Sequence, residues 1–447
     1  MNRRTFIAQA GAALTGAAMA SVVPAWAQTA PDVKLEIAPL ALEIAAGKVV
    51  HTVAYNGRVP GPLIRCPEGK PIAIDVFNRT TLPEIVHWHG LWTPSLMDGS
   101  AEEGGAMIAP GAQFRYLFTP RPAGFRWYHT HTSAGHDLKQ ATYTGQFGCF
   151  YIEPRDDAGA YDQEIFLTLH DWNAYMGNGG DSSMEAAYEY GTIDGRMLGF
   201  GDPLRVREGQ RVLLHLLNAS ASLIHWLALA GHELTVVAMD GNPVPTPGSM
   251  HAVRLAPAER LDVVVTMNQP GVWILGETRE QLRKMGMGIV VEYANQQGKP
   301  KWIEPPETLW DYRPFTAAPA ATHEPDEIIP LRFESKFHGQ GAFDSWTING
   351  KSYPHTDTVM LQQGRRYRLR MINRSTDDHP LHLHRHTFEV AGLDGTRVSG
   401  LKKDVLVVPA NTTADVDFTA NNPSATLFHC HNQTHMDFGF MMLFRYA

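Results

Sequence analysis

Three segments of this chain repeat one pattern. PLIRCPEGKPIAIDVFN covers 62–78, PLRVREGQRVLLHLLN covers 203–218 and VMLQQGRRYRLRMIN covers 359–373. Each reads as a strand, a turn glycine (Gly69, Gly209, Gly364), an alternating strand, and an asparagine nine residues after the glycine (Asn78, Asn218, Asn373). Alternation with period two is the mark of a half-buried β-strand, and three copies at one spacing mark a repeated domain. A second block follows in every copy: Pro110-Gly111 precedes FRWYHTH, Pro257-Ala258 precedes GVWILGE, and Pro409-Ala410 precedes ATLFHCH. About nineteen residues downstream, Leu275-Gly276-Glu277 stands where the other copies have His129-Thr130-His131 and His429-Cys430-His431. The chain is therefore expected to be all-β, with three consecutive Greek-key β-sandwiches of about 120 residues each. Their expected spans are 28–157, 158–295 and 327–447, with the proline-rich 296–326 as a linker running over the surface.

Composition agrees with that architecture. Thirty prolines and forty glycines in 447 residues favour short strands and turns, and 44% apolar with 19% charged residues is ordinary for a globular protein. The first 27 residues are read apart from the fold. Arg3 and Arg4 form a basic start, Ala10 to Val23 is mildly apolar, and Ala25-Trp26-Ala27 is a cleavage signal. The apolar run is shorter and more diluted than the ~20 residues a membrane span needs. The paired arginines before Thr5-Phe6-Ile7 resemble a twin-arginine export signal, implying the twin-arginine machinery as a partner and a periplasmic location. Removing Arg3 and Arg4 takes the formal charge from −8 to −10, which disfavours nucleic acid. Three cysteines (Cys66, Cys149, Cys430) make no disulfide scaffold; Cys66 and Cys149 could pair in an exported protein, but they read as buried free thiols.

The histidines carry the chemistry. Four clusters recur: His87-Trp88-His89, His129-Thr130-His131, HPLHLH with His379, His382 and His384, and HCHNQTH with His429, Cys430, His431 and His435. Residues i and i+2 of a strand share a face, so each H-x-H pair offers two imidazoles to one side. Among 21 histidines one such pair is unremarkable; four, placed in the first and third copies and absent from the second, are a metal signature. Strand parity separates two centres. Cys430 faces away from His429 and His431, and His379 has the opposite parity to His382 and His384. Cys430, His379 and His435 therefore go to one metal. His87, His89, His129, His131, His382, His384, His429 and His431 go to a polynuclear cluster between the first and third domains. A thiolate with two imidazoles suits an electron-transfer copper. Zinc takes the same donors, yet a lone zinc site has no need of eight further histidines joined to the cysteine through the backbone. His215, His225 and His232 of the second copy read as ordinary histidines.

Together YNGRVPGPLIR, HWHG, WYHTH, LAPAERLDVVV, HPLHLH and HCHNQTHMDFG make the chain resemble a three-domain multicopper oxidase of the laccase type. The resemblance implies cupredoxin-like domains and four copper ions. Type 1 copper would sit at His379, Cys430 and His435, and type 2 at His87 and His382. The type 3 pair would take His89, His129 and His431 on one ion and His131, His384 and His429 on the other. It implies oxidation of a small donor in one-electron steps, through an exposed His435 imidazole, coupled to reduction of O2 to water. Electrons would pass from Cys430 along its peptide bonds to His429 and His431.

The same resemblance makes Asp98, in the turn LMDGS, an acid beside the type 2 water; a turn-forming Asp-Gly is the plainer alternative. Relatives with a second acid carry it after the last type 1 histidine, where this chain has Met436 and then Asp437. The axial position falls on Phe440, which has no donor atom, although a shift of one residue would bring Met441 there. Phenols or aromatic amines are the expected donors. A cuprous oxidase serving copper tolerance is the runner-up, set back by seventeen methionines that are scattered rather than clustered. A copper-free structural relative would have lost ligands, and this chain keeps them.

Overall fold

The repeated asparagines show how the sequence makes its domains. In each copy the side-chain nitrogen donates to the following loop and to a later strand. Asn78 reaches the carbonyls of Leu82 (2.7 Å) and Ile108 (2.8 Å), Asn218 those of Leu223 (2.8 Å) and Leu255 (2.9 Å), and Asn373 those of Asp377 (2.8 Å) and Val408 (3.0 Å). The amide oxygen accepts from the main-chain N–H two residues on, at Thr80, Ser220 and Ser375. This turn needs a donor and an acceptor on one short side chain, which asparagine supplies. The turn glycines before it have φ of 77°, 79° and 87°, where a Cβ is disfavoured.

The structure is a computed structural model that describes residues 30–154, 161–176, 185–318, 324–339 and 344–447. The export signal expected over 1–27 lies outside the described residues. Each copy forms two stacked sheets. The first pairs a sheet ordered Lys48–Tyr55, Val33–Ala45, Ile72–Asn78, Gln113–Phe118 with one ordered Gly61–Pro67, Phe147–Glu153, Gly124–Thr130, Val86–His89. The second has sheets of six and five strands, and the third sheets of seven and five. Among the described residues every domain contains two parallel strand pairs among antiparallel neighbours. Among the described residues no helix is long and apolar enough to cross a membrane. Cys66 and Cys149 are free and buried, and burial pushes the Cys66 thiol up to about 12.

Two expectations change here. The linker is not wholly a surface ribbon, because Tyr312 and Phe315 are buried in a core cluster shared by the second and third domains. The middle domain also aligns one residue later than the placement of Leu275-Gly276-Glu277 expected above. Leu227 pairs with Glu277 as Leu381 pairs with Cys430, and Gly276 lies opposite Gly288 as His429 lies opposite Met441. Gly276-Glu277-Thr278 is therefore the counterpart of His429-Cys430-His431. The repeated feature is a turn hydrogen bond rather than a proline: Ala112 donates to Ala109, Glu259 to Ala256, and Thr412 to Pro409. Pro110, Pro257 and Ala410 are then equivalent, and positions 129, 276 and 429 each lie nineteen residues beyond them.

Candidate metal centres

Register brings the ligands together. His87 and His89 lie on Val86–His89, and His87 pairs across with His129 on Gly124–Thr130. His379 and His382 lie on His379–Leu383, and His382 pairs with His429 on Thr426–Cys430. His131, His384 and His431 sit just past the ends of these strands. The short helix Gln433–Asp437, capped by Asn432 through Thr434 N (3.1 Å), turns His435 back toward Cys430.

At the mononuclear centre Cys430 Sγ lies 3.7 Å from His379 Nδ1 and 3.5 Å from His435 Nδ1, and the two nitrogens are 3.1 Å apart. Ser375 Oγ, 2.7 Å from His379 Nε2, holds that ring from behind. Burial lowers His379 to about 3 and also lowers His435, so both imidazoles are neutral and fit to ligate. The same burial pushes the Cys430 thiol up, so a cation must displace its proton on binding. His435 is not the exposed imidazole expected. It is 1% exposed, and Trp346 stacks on it at 4.1 Å while donating to Asp377 (3.4 Å). Phe440 stands directly across from Cys430, and its ring packs edge-on against His379 at 4.7 Å. Met441 faces the other way, into a cluster with Leu427, Met436 and Leu443.

The other eight histidines converge as three groups. The rings of His131, His384 and His429 lie 5.0–5.2 Å apart, with 3.0 Å between Nε2 of His384 and His429. Those of His89, His129 and His431 lie 5.1–5.6 Å apart. His87 and His382 meet Nε2 to Nε2 at 3.4 Å. Oxygens hold the ring nitrogens that point away. Nδ1 of His87 meets the Asp98 carbonyl (2.9 Å), Nδ1 of His382 the Asp404 carbonyl (2.7 Å), and Nδ1 of His429 the Cys430 carbonyl (2.9 Å). His89 is reversed, with Nε2 on Asp404 Oδ1 (3.1 Å). That leaves His89 Nδ1 and the Nε2 atoms of His129, His131 and His431 buried without a partner. Four orphaned imidazole nitrogens facing inward are costly in a folded protein, and a bound metal cluster satisfies them.

Asp98 ends the turn Ser95–Asp98, fully buried, with Oδ2 2.8 Å from His384 Nδ1 and 3.1 Å from His87 Nδ1. Burial pushes its carboxyl up, but His87, Arg385 and the Thr93 hydroxyl outweigh that and hold it below the usual range. Sequence reasoning passed over Glu103. It is also buried and lies 3.5 Å from His384 Nδ1; Oε1 accepts from Leu427 N (2.6 Å) and Oε2 has no partner. Burial and the nearby Asp98 charge raise its carboxyl well above the ordinary value. The two acids beside this one imidazole are thus shifted in opposite directions. Only the run Glu102-Glu103 after Asp98 hinted at it. Asp437, by contrast, accepts main-chain N–H groups of Ala134 and Gly135 and ties the first domain to the third. A cleft of about 530 Å³ lined by Glu84, Glu102, Gln146 and His131 reaches the cluster from the first domain.

A neutral His2Cys site one peptide away from an eight-histidine cluster, on cupredoxin-like sandwiches, defines a metalloprotein class in which copper fits both donor sets. Multicopper oxidase domains match residues 37–157, 164–295 and 329–447. The multicopper oxidase MmcO of Mycobacterium tuberculosis is 31% identical over 429 residues, covering 87% of this chain and 82% of its own. Bilirubin oxidase of Albifimbria verrucaria is 27% identical over 431 residues, covering 88% and 72%. The solved multi-copper oxidase of Pseudomonas thermotolerans superposes with a TM-score of 0.74 at 27% identity, over 94% of this chain and 100% of that one. The chain belongs to the multicopper oxidases, and it is an oxidoreductase of that family.

Proposed function

We propose that this protein oxidises small donors at the centre of His379, Cys430 and His435, and delivers the electrons to O2 at the eight-histidine cluster. The carrying observation is the juxtaposition at Cys430, whose thiol points into one centre while its peptide neighbours His429 and His431 point into the other. Copper, when bound, supplies the one-electron exchange at the first site and the reduction of O2 to water at the second. Four ions are the proposed complement: type 1 at His379, Cys430 and His435, type 2 at His87 and His382, and a type 3 pair. The pair would use His89, His129 and His431 for one ion and His131, His384 and His429 for the other.

The residues around the cluster handle protons and access. Asp98 Oδ2 holds His87 and His384 through their Nδ1 atoms. Glu103, whose carboxyl burial and the Asp98 charge raise, would hold a proton beside His384 for delivery to the cluster site. The cleft beside His131 gives O2 and water a route separate from the donor side. On that donor side, Trp346, held by the Asp377 carboxylate, covers His435, so electrons enter through the Trp346 face rather than by contact with the imidazole.

Phenols and aromatic amines are the proposed donors. The second reading, a cuprous oxidase, is favoured by one feature: Asp344, 2% exposed, carries an unpartnered Oδ1, and burial first and the Asp344 charge after it raise the nearby Asp377. Two carboxylates over a buried entry site suit a small cation. The copper-loaded protein is to be compared on a phenol, an aromatic amine and Cu(I) under air. Turnover of Cu(I) alone would overturn the first reading, and a colourless protein without O2 uptake would overturn both. Export to the periplasm by the twin-arginine route is proposed from residues 1–27. Fractionation of cells with and without that translocase tests it.

A further inference from the structure

The middle domain gives no ligand to either centre, yet it grips the residue beneath the cluster. Asp404 of the third domain serves two ligating histidines through different atoms. Its carboxylate Oδ1 lies 3.1 Å from His89 Nε2, and its carbonyl oxygen lies 2.7 Å from His382 Nδ1. It thereby leaves Nδ1 of His89 and Nε2 of His382 for the metal, opposite choices imposed by one residue. Both handles of Asp404 are held from the middle domain. Arg260 donates from its two terminal nitrogens to the two carboxylate oxygens at 2.7 and 2.6 Å. Asp240 Oδ2 accepts the main-chain N–H of Asp404 (3.2 Å) and of Val405 (3.1 Å), fixing the peptide whose carbonyl meets His382.

The rest of the network closes the charge. Lys403 pairs with Asp240 at 3.0 Å and Glu259 at 3.1 Å, and Arg126 of the first domain donates to Asp404 Oδ2 (3.3 Å) and to the Asp240 carbonyl. Arg126, Arg260 and Lys403 balance Asp240, Glu259 and Asp404, and none of the six is more than 1% exposed. A buried ion network of this size adds little net stability over apolar packing, whereas a two-pronged guanidinium–carboxylate pair fixes direction.

We propose that Arg260 and Asp240 are positioning residues for the cluster: through Asp404 the metal-free domain sets which nitrogen of His89 and of His382 faces the metal. This rests on the assignment of the eight histidines to copper made above. Partners behind ligating histidines are worth about 10–100-fold in metal affinity. The LAPAERLDVVV stretch that holds Glu259 and Arg260 thus acts on a site in two other domains.

The test uses copper-loaded full-length protein, with copper per chain, the paramagnetic spectrum and the thiolate absorption read on wild type, Arg260→Gln and Arg260→Lys. The clamp predicts that Arg260→Gln weakens copper retention at the cluster by about 10–100-fold and alters the type 2 spectrum. The thiolate colour and the potential of the mononuclear centre stay as in wild type, and Arg260→Lys recovers part of the loss. Wild-type cluster spectra in Arg260→Gln, or parallel loss at both centres, would overturn the clamp. Should Arg260→Gln fail to fold, Asp404→Asn decides: it keeps the side chain's shape, and unaltered cluster spectra in it also overturn the proposal. A wild-type protein that binds copper only at the mononuclear centre sinks the cluster assignment itself, and the clamp with it.

Discussion

Cys430 turns its thiol away from His429 and His431 because it stands between them on one strand, and that parity was readable from the letters HCH. Which residue faces the thiol from the next strand was not. The pairing of His429 with Met441 places Phe440 on the Cys430 face and Met441 on the other. Phe440→Met should therefore lower the potential of the mononuclear centre by adding a sulfur ligand, while Met441→Leu leaves it unchanged. A redox titration that finds the reverse pattern would mean the register is wrong. Glu103 makes a second residue-level case. Its distance from the ligands in sequence hid it, since the fold alone carries it to His384. With saturating donor, Glu103→Gln is expected to slow O2 uptake by about 10²–10⁴-fold while copper content holds. Uptake at the wild-type rate would remove Glu103 from proton delivery.

Between strands, the three domains place different side chains at one position. His379, Cys430 and Phe440 of the third correspond to His225, Glu277 and Met287 of the second, where Glu277 N donates to Met287 O at 3.1 Å just as Cys430 N donates to Phe440 O at 3.1 Å. The first domain has Glu84, Thr130 and Gln146 there, joined by hydrogen bonds. In the middle domain a buried ion pair fills the metal position, with His225 2.8 Å from Asp171 and 2.9 Å from Glu277. Burial alone would lower His225, but those carboxylates raise it to about 9, and Asp262 and Glu164 raise His215 likewise. Glu277→Gln should cost about 3–5 kcal/mol, seen as a lower denaturant midpoint of the apo-protein with both centres' spectra unaltered on reloading. The pH dependence follows from the same elements. His379 folds with a value of about 3, and His131 and His386 with about 4, all below the ordinary ~6.5, so their stability is full above that pH and lost as pH falls. His215 and His225 contribute fully below ~6.5 and lose their contribution as pH rises through 9. Apo-protein melting should peak near pH 6.5, and His225→Gln should flatten the alkaline side. A curve still rising to pH 9 would contradict this.

At the scale of the molecule, the cluster joins domains that share no continuous strand. On the proposed assignment, copper held by histidines of the first and third domains would stabilise only the docked state, by about 2.7 kcal/mol at a hundredfold excess over Kd. Loading should raise the melting temperature and merge the unfolding of those two domains into one calorimetric transition, which a chelator splits again. Separate transitions in loaded protein would place the metals within single domains. The sequence by itself determined the threefold β repeat, the H-x-H pairs and the separation of His379, Cys430 and His435 from the other eight histidines. Those depend on alternation along one strand, a local rule that neighbours in the chain obey. Only the tertiary structure decided the middle domain's register, the burial of His435 under Trp346, the arrival of Glu103 at His384 and the grip of Arg260 on Asp404. Each of these depends on which strand or domain lies opposite, and no spacing along the chain encodes that.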